Sequence, residues 1–449
     1  MSNNEKLIVI GGDAAGMSCA SQAKRKGENI DVTVFEKGQY VSYGACGIPY
    51  YVEGYIKNVD DLVHMSPDKF RERRNLDVRI GHEVTEIKPD EKKVVVETDS
   101  EEFEEEYDKL MISTGARPIK PPLEGVELDG VHTVGGLPDG KKIKDEINND
   151  SVKNVGVVGG GYIGIEMTEA FAENDLNVKM FEMKPRVFPT LEPEMSEMVQ
   201  DKLIDKGVEV HTNTALKSLK GNGKVETLIT EEGEEFDVDL VVLALGIQPN
   251  SELAKEAGIE TGIQDSIVTD EYMRTNKEDI YAAGDCAQTK HIVTEEPTYI
   301  PLALTANKMG MLAGKHIAGI EDPFKGVAGT SITRAFNIEV GRTGLSKKEA
   351  EEKGYDVVKS TIKARSKAGY CPGSKTIKIS YIMEEGTGKM LGAQIVGEGV
   401  GKRIDVVATA LNSKYTVHDM LDLDLSYAPP FDPVWDPVLK AARVASKKV

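Results

Sequence analysis

No stretch of this 449-residue chain approaches the roughly 20 consecutive apolar residues that a membrane-crossing helix needs. The first apolar run, LIVI, is too short for the core of an export signal, so the cytoplasm is the expected compartment. Positive charge is in deficit. There are 55 Lys and Arg against 75 Asp and Glu, a net charge of −20, and no basic stripe with interleaved aromatics occurs. Affinity for phosphate backbones rests on clustered cations, so no nucleic-acid partner is expected and the acidity reads as a solvated surface. Cysteine is scarce: Cys19, Cys46, Cys286 and Cys371 stand far apart and make no CxxC pair. That argues against a zinc site or a secreted disulfide framework. The histidines, His82, His211 and His291 among them, have no metal-ligand spacing, and no metal is expected.

What the chain does have is an internal repeat. One copy reads LIVIGGDAAGMSCASQA followed by DVTVFEK; the other reads VGVVGGGYIGIEMTEA followed by NVKMFEMK. Each is an apolar strand, a Gly-rich turn, a helical stretch with small residues, a second strand, and a glutamate at that strand's end. Glycines let backbone turn tightly and approach a pyrophosphate at a helix N-terminus. An acid about 20 positions on accepts hydrogen bonds from the adenosine ribose. Gly11 and Glu36 are 25 positions apart, and Gly159 and Glu182 are 23. Two such copies define two dinucleotide sites, with Gly12, Ala15 and Gly16 completing the first turn and Gly161, Tyr162, Ile163 and Gly164 the second. The first turn departs from GxGxxG: Asp13 stands where the middle glycine belongs. Its carboxylate must turn outward or bond to backbone.

A second repeated element follows each copy. LMISTGARP at 110–118 matches VVLALGIQP at 241–249, each an apolar strand, a glycine, and a proline three residues later. They read as strands leaving a dinucleotide domain into a connecting turn. The segment TNKEDIYAAGDC at 275–286 then returns the chain to the first unit, ending a strand at Gly284 and Asp285. The expected architecture is α/β: two nested Rossmann-like domains and a C-terminal α+β domain. Residues 1–118 and 249–325 form the first, 119–248 the inserted second, and 326–449 the last. The last third alternates, as in TSITRAFNIEVGRTG and SKTIKISYIM, which predicts antiparallel strands, with helices at roughly 400–412 and 433–446.

Cys46 lies in FEKGQYVSYGACGIPYYVEG, where Gly-Ile-Pro can open a helix. A thiol at a helix N-terminus has a lowered pKa, and a lowered pKa is expected here. Cys19 and Cys286 read as small packing residues.

The AAGDC segment resembles the FAD-binding motif of the pyridine nucleotide–disulfide oxidoreductases, and the likeness runs through GYIGIE, IPLALTANKMG, GTSIT and LSYAPPFDPVWDP. It implies FAD on the first copy, with Asp285 holding the ribityl chain and Lys37, Ser113, Thr114, Gly115 and Gly284 around it. NADH sits on the second, near Glu166 and Gly246. Glu182 repels a 2′-phosphate, while Lys184 and Arg186 keep NADPH open. The dithiol members carry a second cysteine five positions after the first; here Tyr51 occupies it. SYGACGIPYY is similar to the single-cysteine branch: coenzyme A disulfide reductases, sulfur or polysulfide reductases, and NADH oxidases and peroxidases. A lone thiol forms a mixed disulfide, persulfide or sulfenic acid. The oxidase and peroxidase members have a histidine where Ala14 stands, which lowers that reading.

The resemblance also implies a homodimer in which Tyr427 of one subunit reaches Cys46 of the other. Tyr370 is a second such tyrosine, although its neighbour Cys371 replaces a tyrosine of the family's YYPG segment. If the second tyrosine of that pair is the working one, Cys371 has taken its place as a thiol near Cys46. Gln22, Arg25 and Ser42 resemble positions lining a coenzyme A site, and for Gln22 and Arg25 a solvated helix face reads equally well. The substrate implied is a coenzyme A disulfide, persulfide or polysulfide. Three other readings stay open: an NADH oxidase working through a Cys46 sulfenate, a ferredoxin- or rubredoxin-reductase-like flavoprotein that does not need Cys46, and a redox sensor.

Overall fold

The computed structural model describes residues 4–149 and 151–449. Near-continuous Val, Ile and Leu runs become strands buried on both faces, as parallel sheets require. The first five-stranded sheet has the order Ile280–Ala282, Lys109–Ile112, Glu5–Ile10, Ile30–Glu36 and Asp77–Ile80. All its neighbours are parallel. Strand Ile280–Ala282 thus returns to a sheet begun at the N-terminus. The second sheet repeats the plan with Glu209–Thr212, Asn177–Glu182, Asn154–Val158, Leu240–Leu243 and Val131–His132, again parallel. Where the repeated GARP and GIQP segments leave their sheets, Ala116–Pro118 and Ile247–Pro249 pair antiparallel, tying the two excursions together.

Helix Ala14–Lys26 crosses from the first strand to the second, and helix Ala303–Ile317 lies against it. Small residues allow the approach: a Cβ added at Gly310 would fall 2.1 Å from the Ala15 carbonyl oxygen, and one at Gly314 2.4 Å from that of Cys19. Cys19 and Cys286 are fully buried packing residues, as expected.

The C-terminal part is an antiparallel sheet in the order Ser331–Ala335, Ile338–Gly344, Met390–Gly397, Thr376–Glu384 and Val357–Arg365. Helix Val400–Asn412 follows as expected from the sequence. The last helix begins later than the expected residue 433, at Pro437. Asp436 accepts a hydrogen bond from Val438 N at 2.8 Å and caps it, and Pro437 fills the first helical position, where no N–H is needed. The fold class anticipated from the sequence is therefore the one observed.

Among the described residues, no helix is long and apolar enough to cross a membrane, and no group of three or more His, Cys, Asp or Glu side chains is placed to hold a metal.

Candidate active site

In the first Gly-rich turn, Gly11 adopts φ +97, and a Cβ there would lie 2.2 Å from the Ser113 carbonyl oxygen. Glu36 secures the turn: its carboxylate accepts from Gly12 N at 2.8 Å and Gly38 N at 2.6 Å. The Ser113 hydroxyl donates to Ile10 O at 2.7 Å and closes the far side. Asp13 does what its position demanded, accepting from Tyr43 N at 3.2 Å. Burial, with Glu36 and Asp285 nearby, raises its carboxyl to about 6. Ala15 is buried against the Gly284 and Gly310 backbones rather than facing open space.

A cleft of about 700 Å³ runs from this turn. Its lining includes Gly11, Gly12, Glu36, Lys37, Ser113, Thr114, Gly115, Asp285 and Tyr43. Its volume lies within the range of small-molecule sites. Turn backbone for a pyrophosphate, Glu36 for a ribose and Asp285 for further hydroxyls form a donor set that fits FAD. Burial holds the Asp285 carboxyl above its ordinary value. Arg117 and Asn250 also line the cleft and were missed in the sequence. Asn250 Nδ2 donates to Thr114 O at 2.8 Å and Arg117 pairs with Glu252 at 2.6 Å. Arg117 lies inside the first repeated GARP segment, and Asn250 directly follows the proline of the second.

In the second turn the glutamate makes the same pair of backbone bonds as in the first. Glu182 is buried and accepts from Gly160 N at 2.7 Å and Lys184 N at 2.8 Å. A Cβ at Gly164 would meet Gly159 O at 1.8 Å, while one at Gly161 meets nothing within 4 Å. The middle glycine faces open space, as a dinucleotide cradle needs. Tyr162 bonds its hydroxyl to Ser331 at 2.5 Å, Ile163 packs partly into the core, and Gly246 sits at φ +98 beside Ile119.

Cys46 is an unpaired thiol, open to solvent on one side and crowded by protein on the other. It lies in the short helical turn Ala45–Gly47, which continues directly as helix Ile48–Glu53. The expected lowering of its pKa is not found. Burial first, then the carboxylates of Glu166, Asp285 and Asp13, push the thiol up. Those carboxylates come from three distant stretches of chain and add to the effect of burial. Glu166, from the second unit, thus faces Cys46 alongside two residues of the first.

Tyr370 and Tyr427 are exposed side chains of the C-terminal part near each other, with the half-buried Cys371 next in the chain to Tyr370. None of the three is among the groups that perturb Cys46 in the same chain. Gln22 and Arg25 meet in a surface cavity of about 340 Å³ with Ser18, Ser21, Arg74 and Lys308. Arg74 donates to the Ser21 hydroxyl at 2.6 Å and Arg25 to Gln22 at 3.4 Å. Arg74 and Lys308 were not foreseen, since they come from helices remote in sequence. Ser42, at φ +50, does not line this cavity.

Two dinucleotide turns converging on a helix that presents a lone thiol define a flavin- and nicotinamide-dependent oxidoreductase. The chain belongs to the pyridine nucleotide-disulphide oxidoreductase family, whose model matches residues 5–310, with the family's dimerisation domain matching 331–437. It is 42% identical over 441 residues to the NAD(P)H coenzyme A polysulfide/persulfide reductase of Pyrococcus horikoshii, covering 98% of each chain. It is 38% identical to an NADH oxidase of Methanocaldococcus jannaschii, covering 99% of each. Among solved structures it resembles an NAD-dependent persulfide reductase from A. fulgidus, with TM-score 0.96 and 39% identity, covering 99% of this chain and 83% of that one.

Proposed function

We propose that this protein is a homodimeric NAD(P)H oxidoreductase that reduces coenzyme A disulfide, persulfide or polysulfide through Cys46. The observation carrying this is the position of Cys46: an unpaired thiol beside Glu166 of the nicotinamide unit and Asp285 of the flavin unit, with Tyr51 where a second cysteine would close an internal disulfide. FAD held along the Gly11–Asp285 cleft supplies two-electron transfer between the nicotinamide and sulfur. The Cys46 thiolate attacks a sulfur–sulfur bond, forming a mixed disulfide or persulfide and expelling a thiolate or hydrosulfide. Two electrons and a proton then restore the thiol and release the second product.

Coenzyme A is favoured as carrier by the cavity around Gln22. Arg25, Arg74 and Lys308 there match a phosphorylated nucleotide end, and guanidinium forks bind phosphate oxygens in pairs. Tyr370, Tyr427, Phe431, Val434 and Trp435 are exposed large side chains of the matched dimerisation region or its border. We assign them to the subunit interface, where a tyrosine hydroxyl of one protomer protonates the thiolate leaving Cys46 of the other. The unpaired thiols suit a reducing cytoplasm.

The likeness to an NADH oxidase supports a second reading, in which a Cys46 sulfenate reduces oxygen. Anaerobic NADH and NADPH oxidation with coenzyme A disulfide, coenzyme A persulfide and polysulfide, set against oxygen alone, separates them. Turnover with a sulfur acceptor that Cys46→Ser abolishes while FAD stays bound is the expected result. Equal turnover with oxygen alone, or full sulfur turnover in Cys46→Ser, would overturn it.

A further inference from the structure

We propose that Glu166 tunes the reactivity of Cys46, and that Tyr50 and Thr333 are positioning residues that hold its carboxyl beside the thiol. Three separate segments meet at this carboxyl. Tyr50 Oη donates to Glu166 Oε1 at 3.4 Å, and Thr333 Oγ1 donates to the same oxygen at 2.6 Å. Tyr50 lies four residues after Cys46, where the short turn that carries the thiol runs into helix Ile48–Glu53. The residue that holds Glu166 is therefore carried by the same stretch of chain as the thiol.

Tyr50 is itself fixed. The Arg334 guanidinium sits 5.0 Å over its ring. Arg334 pairs with Glu53, at the end of the same helix, and lies 3.0 Å from Glu169, one turn beyond Glu166. The remaining charged or titratable groups around the pair are Tyr162 on the Glu166 helix, and Asp13 and Asp285 facing Cys46. Burial raises the Glu166 carboxyl, while Thr333, Tyr50 and Arg334 favour its charged form. Once charged, it disfavours a thiolate at Cys46.

A higher thiol pKa has two opposing effects. Fewer thiolates are present below that pKa, but each is intrinsically more nucleophilic, with a Brønsted slope of about 0.4–0.5. Removing the Glu166 charge must therefore make the profiles cross. General loosening of the site would instead raise reactivity at every pH.

This rests on Cys46 being the attacking thiol, and the test separates the two ideas. The FAD-loaded protein is alkylated with iodoacetamide across pH, following the Cys46 peptide by mass and residual sulfur turnover. For Glu166→Gln the apparent pKa of Cys46 falls by about one pH unit. Alkylation becomes about threefold faster below both pKa values and about threefold slower on the high-pH plateau. Tyr50→Phe and Thr333→Val shift it the same way, because each removes a donor that holds the Glu166 carboxylate beside the thiol; these two decide the matter should Glu166→Gln lose FAD. Glu169→Gln, which removes the neighbouring carboxylate, leaves the profile in place. Superimposed profiles in Glu166→Gln and the parent, an equal shift in Glu169→Gln, or faster alkylation at every pH would overturn the tuning role. Alkylation of Cys46 that spares turnover would instead sink the proposed function.

Discussion

Arg403 Nη2 donates to Asp432 Oδ1 at 2.5 Å, with both side chains sealed from solvent. The same guanidinium reaches Asp436 at 3.2 Å, Gly399 O at 2.8 Å and Ser366 O at 2.9 Å. Ala368 N also donates to Pro429 O at 3.2 Å. One buried cation thus fastens the segment leading to Tyr370 and Cys371 to the segment that follows Tyr427.

Arg403→Met should accordingly destabilise the FAD-loaded protein by about 3–5 kcal/mol, because two buried carboxylates lose their shared partner. Lys402 also pairs with Asp432, at 2.6 Å, but its side chain is 47% exposed. Lys402→Met should cost no more than about 1 kcal/mol. Denaturant unfolding of the two variants checks this, and losses of equal size would refute it.

The two glycines of the second turn should fail in different ways. A Cβ at Gly164 collides with backbone at 1.8 Å, so Gly164→Ala should lower thermal stability as well as NADH binding. A Cβ at Gly161 meets no protein atom within 4 Å. Gly161→Ala should melt like the parent yet raise KM for NADH, on the order of tenfold if the methyl displaces a pyrophosphate contact. An unchanged KM with intact folding would remove Gly161 from the nicotinamide site.

This contrast marks what local sequence can reveal. Strand, Gly-rich turn and ribose acid sit within about 25 positions, so both turns were legible, and the backbone bonding of Asp13 was one of the two outcomes its place in the motif allowed. The direction of the Cys46 perturbation was not legible. It is decided by burial first and then by carboxylates at positions 13, 166 and 285, which only the folded chain brings about. The same is true of Arg74 and Lys308, which join Gln22 and Arg25 from other helices, and of Arg334, which joins Glu169 from the C-terminal sheet. The missed start of the last helix differs in kind, since the Asp436-Pro437 signal is present in the sequence.

Glu182 should set coenzyme preference. Buried at the strand end, it brings negative charge to the position where a ribose 2′-phosphate would lie. Glu182→Ala also strips an acceptor from Gly160 N and Lys184 N, so efficiency with NADH should drop. The informative quantity is the ratio of kcat/KM for NADH to that for NADPH. It should fall by about tenfold or more as the repulsion disappears while Lys184 and Arg186 remain. A ratio that holds steady while both efficiencies fall together would show that Glu182 only shapes the turn.

Glu169 should leave a pH signature in stability. Burial pushes its carboxyl up to about 7, although Phe336 N donates to it at 2.8 Å and Arg334 lies 3.0 Å away. A carboxyl raised on folding holds an extra proton in the folded state between the ordinary carboxylate range and about 7. The stability it contributes is complete below that window and is lost as pH rises through it. Glu169→Gln has nothing to titrate there, so other groups cancel in the comparison with the parent. Stability of the variant minus that of the parent should rise between about pH 5 and pH 8, by an amount on the order of 3 kcal/mol. Unfolding free energies at matched ionic strength measure it. A difference that stays flat would mean that Arg334 keeps the carboxylate charged throughout, and one that falls would reverse the sign assigned to its burial.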